Sequence, residues 1–155
     1  MKSELEVLRD ARELLAQCYV KWTVDDDAGG HCAMGCVNLA RVGYASVAPV
    51  KGDNALDLVN RACERLHPEL QGKRAPRMEY YDGIFMDCGH EDFFDTHPMV
   101  FVNNQLGKEA ILACFDDAIL HEEMRVMLEN VQAQTAESPG QILSDPEEKS
   151  VALLG

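Results

Sequence analysis

The sequence predicts a mainly α domain: four helices in an orthogonal or bundle-like arrangement, a small β-hairpin or irregular aromatic insert before the last of them, and a short C-terminal helix. Two observations carry this expectation. Apolar side chains recur at intervals of three and four along four stretches, the period of a helix that buries one face. Segments rich in Gly, Pro and Asp separate those stretches, and one of them, around Asp82-Gly83, lies between strand formers as a hairpin turn does.

Ser3-Glu4-Leu5-Glu6 reads as a capping box, and Leu5, Leu8, Ala11, Leu15 and Cys18 then lay an apolar stripe along about four turns. From Tyr19 to Val24 the period falls to two, with Val20, Trp22 and Val24 on one side, which predicts an extended segment. Asp25-Asp26-Asp27-Ala28-Gly29-Gly30 ends it as a solvated turn, because calcium-loop ligands alternate along the chain and these aspartates are consecutive. A second helix is expected from His31 to about Val42 with Cys32, Gly35, Cys36, Leu39 and Gly43 on one face. Asp53 looks like the N-cap of a third, which carries Leu56, Val59, Cys63 and Leu66 and stops at Pro68.

Residues 69–103 are less regular. Residues 71–77 read as a loop, Met78–Tyr81 and Ile84–Met86 as hairpin strands, and Met99–Val102 as a third short strand. Six aromatics crowd this insert (Tyr80, Tyr81, Phe85, Phe93, Phe94, Phe101) and are expected to cover the open side of the helices. From Lys108 to about Ala133 there is neither Gly nor Pro, which predicts the longest helix. Its apolar face runs through Ile111, Cys114, Phe115, Ala118 and Ile119 and drifts to Met124, Met127, Leu128 and Val131, a change that allows a break near His121. The domain is placed at 1–133, followed by a polar linker and, from the Asp145-Pro146-Glu147-Glu148 start signal, a short helix ending in Val151-Ala152-Leu153-Leu154.

The chain has 155 residues, enough for one core, and 46% of them are hydrophobic, which argues against wholesale disorder. No apolar run reaches the roughly 18 residues of a membrane span, and the N-terminus lacks a signal-peptide pattern, so a cytoplasmic protein is expected. The six cysteines fall mostly at core-facing helical positions and are expected to be reduced. Net charge is −13, and residues 82–155 hold 15 acidic side chains against three basic ones. Such a field disfavours nucleic acid and anionic membranes and favours a protein partner with a basic surface; the alternative is a solvated acidic surface with no partner.

Trp22 ahead of a Gly-rich turn, His31-Cys32-Ala33-Met34-Gly35-Cys36 at a helix start, and Asn103-Asn104-Gln105-Leu106-Gly107-Lys108 leading to Phe115-Asp116-Asp117-Ala118-Ile119 follow an N-terminal amphipathic helix. In that order they resemble an uncharacterised family of small helical proteins from actinobacteria and their phages, over roughly residues 5–120. Cys36 in place of the usual alanine, the longer aromatic middle and the extended last helix depart from its pattern. The resemblance implies a helical fold and an actinobacterial or phage origin, and no activity.

Thiol and imidazole groups that suit zinc are present in His31, Cys32, Cys36, Cys88, His90 and His97. Their spacing disfavours a structural zinc site, since Cys32 and Cys36 are one helical turn apart on an apolar face and Cys88-Gly89-His90 is a compressed pair. Phosphate-loop, dinucleotide, nucleophile-elbow, metalloprotease and zinc-deaminase patterns are all missing. Lys73, Arg74 and Arg77 are too few to hold nucleic acid against the overall charge. The reading that results is a non-enzymatic, acidic interaction protein with no cofactor, binding a basic host surface, with mimicry of DNA charge as one version. Its contact residues would be Asp116, Asp117, Glu122, Glu123 and Glu129 with Leu153 and Leu154 of the tail. A small zinc- or thiol-dependent enzyme built on the cysteine and histidine groups is the alternative.

Overall fold

The computed structural model describes residues 2–137 apart from 24, 27, 46–53, 77, 88, 90 and 91. The protein is mainly helical: α1 (Glu4–Cys18), α2 (Ala33–Val42), α3 (Asn54–Leu66), β1 (Arg74–Ala75), β2 (Met78–Tyr81), β3 (Ile84–Asp87), β4 (Asp92–Phe93), α4 (Pro98–Phe101) and α5 (Lys108–Glu137). The chain divides into two units, residues 1–120 and 121–155. Asp53 and the expected C-terminal helix with Leu153 and Leu154 lie outside the described residues.

In the first unit the capping box forms as its residues require: the Glu6 amide donates to Ser3 Oγ at 3.2 Å and the Ser3 amide to Glu6 Oε2 at 2.7 Å. The Ser3 amide and then its hydroxyl hold the Glu6 carboxyl below the ordinary glutamate range. A depressed folded-state value stabilises the cap above the unfolded pKa, and that contribution fades as pH falls through the folded value. A Glu6 titration followed by NMR is expected to show a midpoint below that of an unstructured glutamate, and Glu6→Gln to remove this source of acid sensitivity.

The core collects Val7, Leu8, Ala11 and Leu15 from α1, Ala33, Cys36, Val37 and Ala40 from α2, Ala55, Leu56, Val59, Ala62 and Cys63 from α3, and the first three turns of α5. The apolar stripes read from spacing supply most of the buried faces, with corrections on three helices: in α1 Leu5 and Cys18 are only half-buried while Val7 is fully buried. Leu66 is exposed at the last turn of α3, and the buried face of α2 is turned from the expected one, taking in Ala33, Val37, Asn38 and Ala40 while Leu39 is half-buried and Gly43 exposed.

Two expected strands are not strands. Of the expected Tyr19–Val24 strand, Tyr19 makes one parallel bridge, to His31, and the chain leaves the extended conformation at Trp22, whose φ is +63°; Val24 lies outside the described residues. That backbone costs a bulky residue about 1–2 kcal/mol; the Trp22 amide donates to Asn104 Oδ1 at 2.8 Å in this geometry. Asp26 organises the turn that follows, its Oδ1 accepting from the amides of Ala28 and Gly30 at 3.0 and 2.6 Å. A Cβ at Gly30 would collide with the Asp26 carboxylate and Val20, so glycine is needed there for space.

Met99–Val102 is helical. Pro98 occupies the first turn of α4, where its missing N–H costs nothing, and the Met99 amide donates to Asn60 Oδ1 at 2.9 Å. Burial of Met99, Phe101 and Val102 overrides their strand preference. The chain continues as one π-turn, Val102–Leu106, closed by the Gly107 amide on the Val102 carbonyl at 3.2 Å. Gly107 ends it at φ +98°, ψ −175°, a conformation open only to glycine.

The insert contains the predicted hairpin, β2 pairing antiparallel with β3 across Asp82-Gly83, both at positive φ as a two-residue hairpin turn requires. The segment read as a loop contributes β1, which pairs with β4 through Arg74–Phe93 and Ala75–Asp92. Phe94 and Phe101 fill the expected covering role, both buried and edge-to-face at 5.7 Å.

Candidate interaction surface on the long helix

α5 starts where the π-turn ends, the Ile111 amide reaching back to the Gly107 carbonyl at 3.1 Å. Ile111, Leu112, Cys114, Phe115 and Ala118 are buried. Beside them, Arg12 of α1 holds Asp116 in a two-point contact at 2.8 and 3.2 Å, and Arg65 of α3 holds Asp117 at 2.6 and 2.9 Å. Both aspartates are thus committed to anchoring the helix. An arginine fork matched to a carboxylate fixes direction as well as charge.

The helix runs unbroken past His121 to Glu137, but its apolar residues change side. Leu120 stands two positions beyond Ala118, roughly 200° around an α-helix. It is 54% exposed, and Met124, Met127, Leu128 and Val131 are each more than half exposed. Within the second unit Met124, Met127 and Val131 are spaced by three and four, so they form one seam with Leu128 beside it. The expected drift of a single buried face is therefore two stripes: one buried, and one presented to solvent.

The opposite side of the same turns is polar. Glu122 is 3% exposed and accepts from Arg125 Nε at 3.0 and 3.1 Å and Nη2 at 2.6 Å, while Arg125 Nη1 reaches Glu129 at 2.5 Å. The pair of carboxylates, Glu122 foremost, pushes the guanidinium pKa up. Of the acidic residues expected to form a row, Asp116, Asp117, Glu122 and Glu129 are each clasped by an arginine, and Glu123 is partly buried. An even array of free carboxylates, which charge mimicry of DNA needs, is not what these residues make.

The other residues singled out are dispersed. Cys32 is the N-cap of α2 and buried; Cys36 lies one turn on, wholly buried; His31 is half-buried at the bridge to Tyr19; His97 is exposed ahead of α4; Cys88 and His90 lie outside the described residues. Among the described residues no three His, Cys, Asp or Glu side chains converge as metal ligands would. Burial pushes the Cys32 and Cys36 thiols up, away from the resting thiolate that a metal site uses.

Sequence reasoning missed the exposed stripe although its signal was present. The two-residue step from Ala118 to Leu120 breaks the phase of the apolar pattern, but periodicity says only that two stripes exist; which is covered depends on tertiary packing. No described helix is long and apolar enough to cross a membrane. Comparison with protein-family models, curated proteins and solved structures finds no match to this chain.

Proposed function

We propose that this is a non-enzymatic protein-interaction protein whose contact element is the distal part of α5, and whose partner is a protein offering an apolar groove bordered by basic side chains. The observation that carries the reading is the seam of Met124, Met127, Leu128 and Val131, four large apolar side chains each more than half exposed along one helix face. Contiguous exposed apolar surface rimmed by polar residues marks interaction sites, and an amphipathic helix laid in a groove is a standard mode of recognition. Methionines add adaptability to such a face. Charge supports the basic border: residues 121–137 hold four acidic side chains and one arginine.

The test is site-specific photocrosslinking from position 127 in the native cell, followed by calorimetry with the purified crosslinked partner. Met127→Asp combined with Val131→Asp is expected to weaken that binding at least 100-fold while leaving the unfolding midpoint within a degree or two, because neither side chain belongs to the core. Raising salt is expected to weaken binding several-fold through the basic border. Crosslinks only to a second copy of the chain, or a partner indifferent to the double substitution, would overturn the proposal.

A further inference from the structure

α1, α2, α3 and α5 bring four of the cysteines together as two thiol pairs. Cys63 of α3 and Cys114 of α5 are both fully buried, and the neighbouring Cys114 thiol, with burial, pushes the Cys63 thiol up. Cys18, at the end of α1, and Cys36, in the first turn of α2, place their Sγ atoms 3.9 Å apart. The pairs differ in access: Cys18 is partly exposed, whereas Cys36 behind it is wholly buried.

The backbone fixes this second pair in place. The His31 amide donates to the Cys18 carbonyl at 2.7 Å and the Val20 amide to the His31 carbonyl at 3.2 Å, tying the end of α1 to the residue before the α2 cap. Cys18 Sγ donates to the Leu14 carbonyl at 2.9 Å. Pairing with Cys36, 3.9 Å away, requires the Cys18 sulfur to give up that carbonyl. The remaining closure, to the roughly 2.05 Å of a disulfide, is of side-chain size.

We propose that Cys18 and Cys36 are an oxidation site at which a hydroperoxide forms a reversible disulfide between the end of α1 and the start of α2. The sulfur of the partly exposed Cys18 gives up its proton and attacks the peroxide oxygen; the O–O bond breaks, that proton joins the departing oxygen as water or alcohol, and Cys18 becomes a sulfenic acid. The Cys36 sulfur then attacks Cys18 Sγ, its proton joins the sulfenic hydroxyl, and water departs as the S–S bond forms. Two thiols lose two electrons and two protons, and the peroxide takes up both. Because the raised Cys36 thiol must give up its proton in the second step, the reaction is expected to quicken with pH.

The bridge closes the segment between Cys18 and Cys36, including the Trp22 turn, and its unfolded-state constraint raises Tm by roughly 5–10 °C. The test treats the full chain with hydrogen peroxide, blocks remaining thiols with a maleimide after unfolding, and reads masses and peptides. The expected product has lost about 2 Da, yields one Cys18–Cys36 crosslinked peptide, melts higher and reverts with dithiothreitol. Cys63 and Cys114 are labelled by the maleimide, because oxidant does not reach them. Cys18→Ser, a change at a partly exposed position, is expected to abolish both the crosslink and the Tm rise. Over-oxidation of Cys18 to sulfinic acid with Cys36 still labelled, or a crosslink confined to Cys63 and Cys114, would overturn the proposal.

Discussion

Asn103→Leu is expected to lower the unfolding free energy by about 3–5 kcal/mol and Tm by roughly 10–15 °C. Asn103 is 1% exposed in the π-turn and is satisfied on both ends of its amide: Oδ1 accepts from the Ala33 amide at 3.0 Å, and Nδ2 donates to the Val20 carbonyl at 3.1 Å and to Asn104 Oδ1 at 2.9 Å. Asn104 Oδ1 in turn accepts from the Trp22 amide, and the Asn103 carbonyl accepts the Tyr19 hydroxyl at 2.5 Å. Three short segments therefore meet on one side chain, and leucine fills its volume while stranding a buried N–H and two acceptors. Asn103→Asp separates shape from bonding. It keeps the outline but turns an acceptor toward Val20 and Asn104, so it is expected to destabilise at least as much. Urea denaturation followed by circular dichroism measures both; a neutral Asn103→Asp would show that the donor is dispensable.

Phe115→Ala is expected to cost about 3–5 kcal/mol, the range for emptying a buried phenylalanine site. Phe115 is fully buried among the α5 residues that face the core. The slope of the denaturation curve is expected to stay constant, because the cavity alters stability and not the surface exposed on unfolding. Met127→Ala on the same helix supplies the contrast, with an effect within about 0.5 kcal/mol. Equal costs at the two positions would mean that the seam at Met127 is covered in solution.

Where a signal was local, the sequence made it legible. The capping box and the period of α1 came from adjacent side chains, and Asp82-Gly83 dictated its own turn. What escaped the reading depends on distant partners. Val100, Phe101 and Val102 prefer strands in isolation; they are helical because Pro98 starts a turn and the core surrounds them. Trp22 accepts an unfavourable φ in a geometry where a side chain 82 positions away meets its amide. The acidic row was legible as composition, whereas the arginines that clasp it come from α1, α3 and α5, and only folding brings Arg12 and Arg65 to it. Glu122 had no local mark of burial at all.

The distal part of α5 has a thermal consequence. From Met124 to Thr135 every side chain is exposed except the half-buried Val126, so these turns rest on their own hydrogen bonds and on the Glu122–Arg125–Glu129 clasp. Helices this short are marginal in water when packing does not support them, and warming shortens them from the end. Fraying and rewinding of such turns take about a microsecond or less, far faster than the opening of a packed core. A partner that needs them wound must meet the ordering cost itself, and that cost grows with temperature. Recognition through this surface would carry a large negative heat-capacity change, so its affinity would pass through a maximum and fall on further warming.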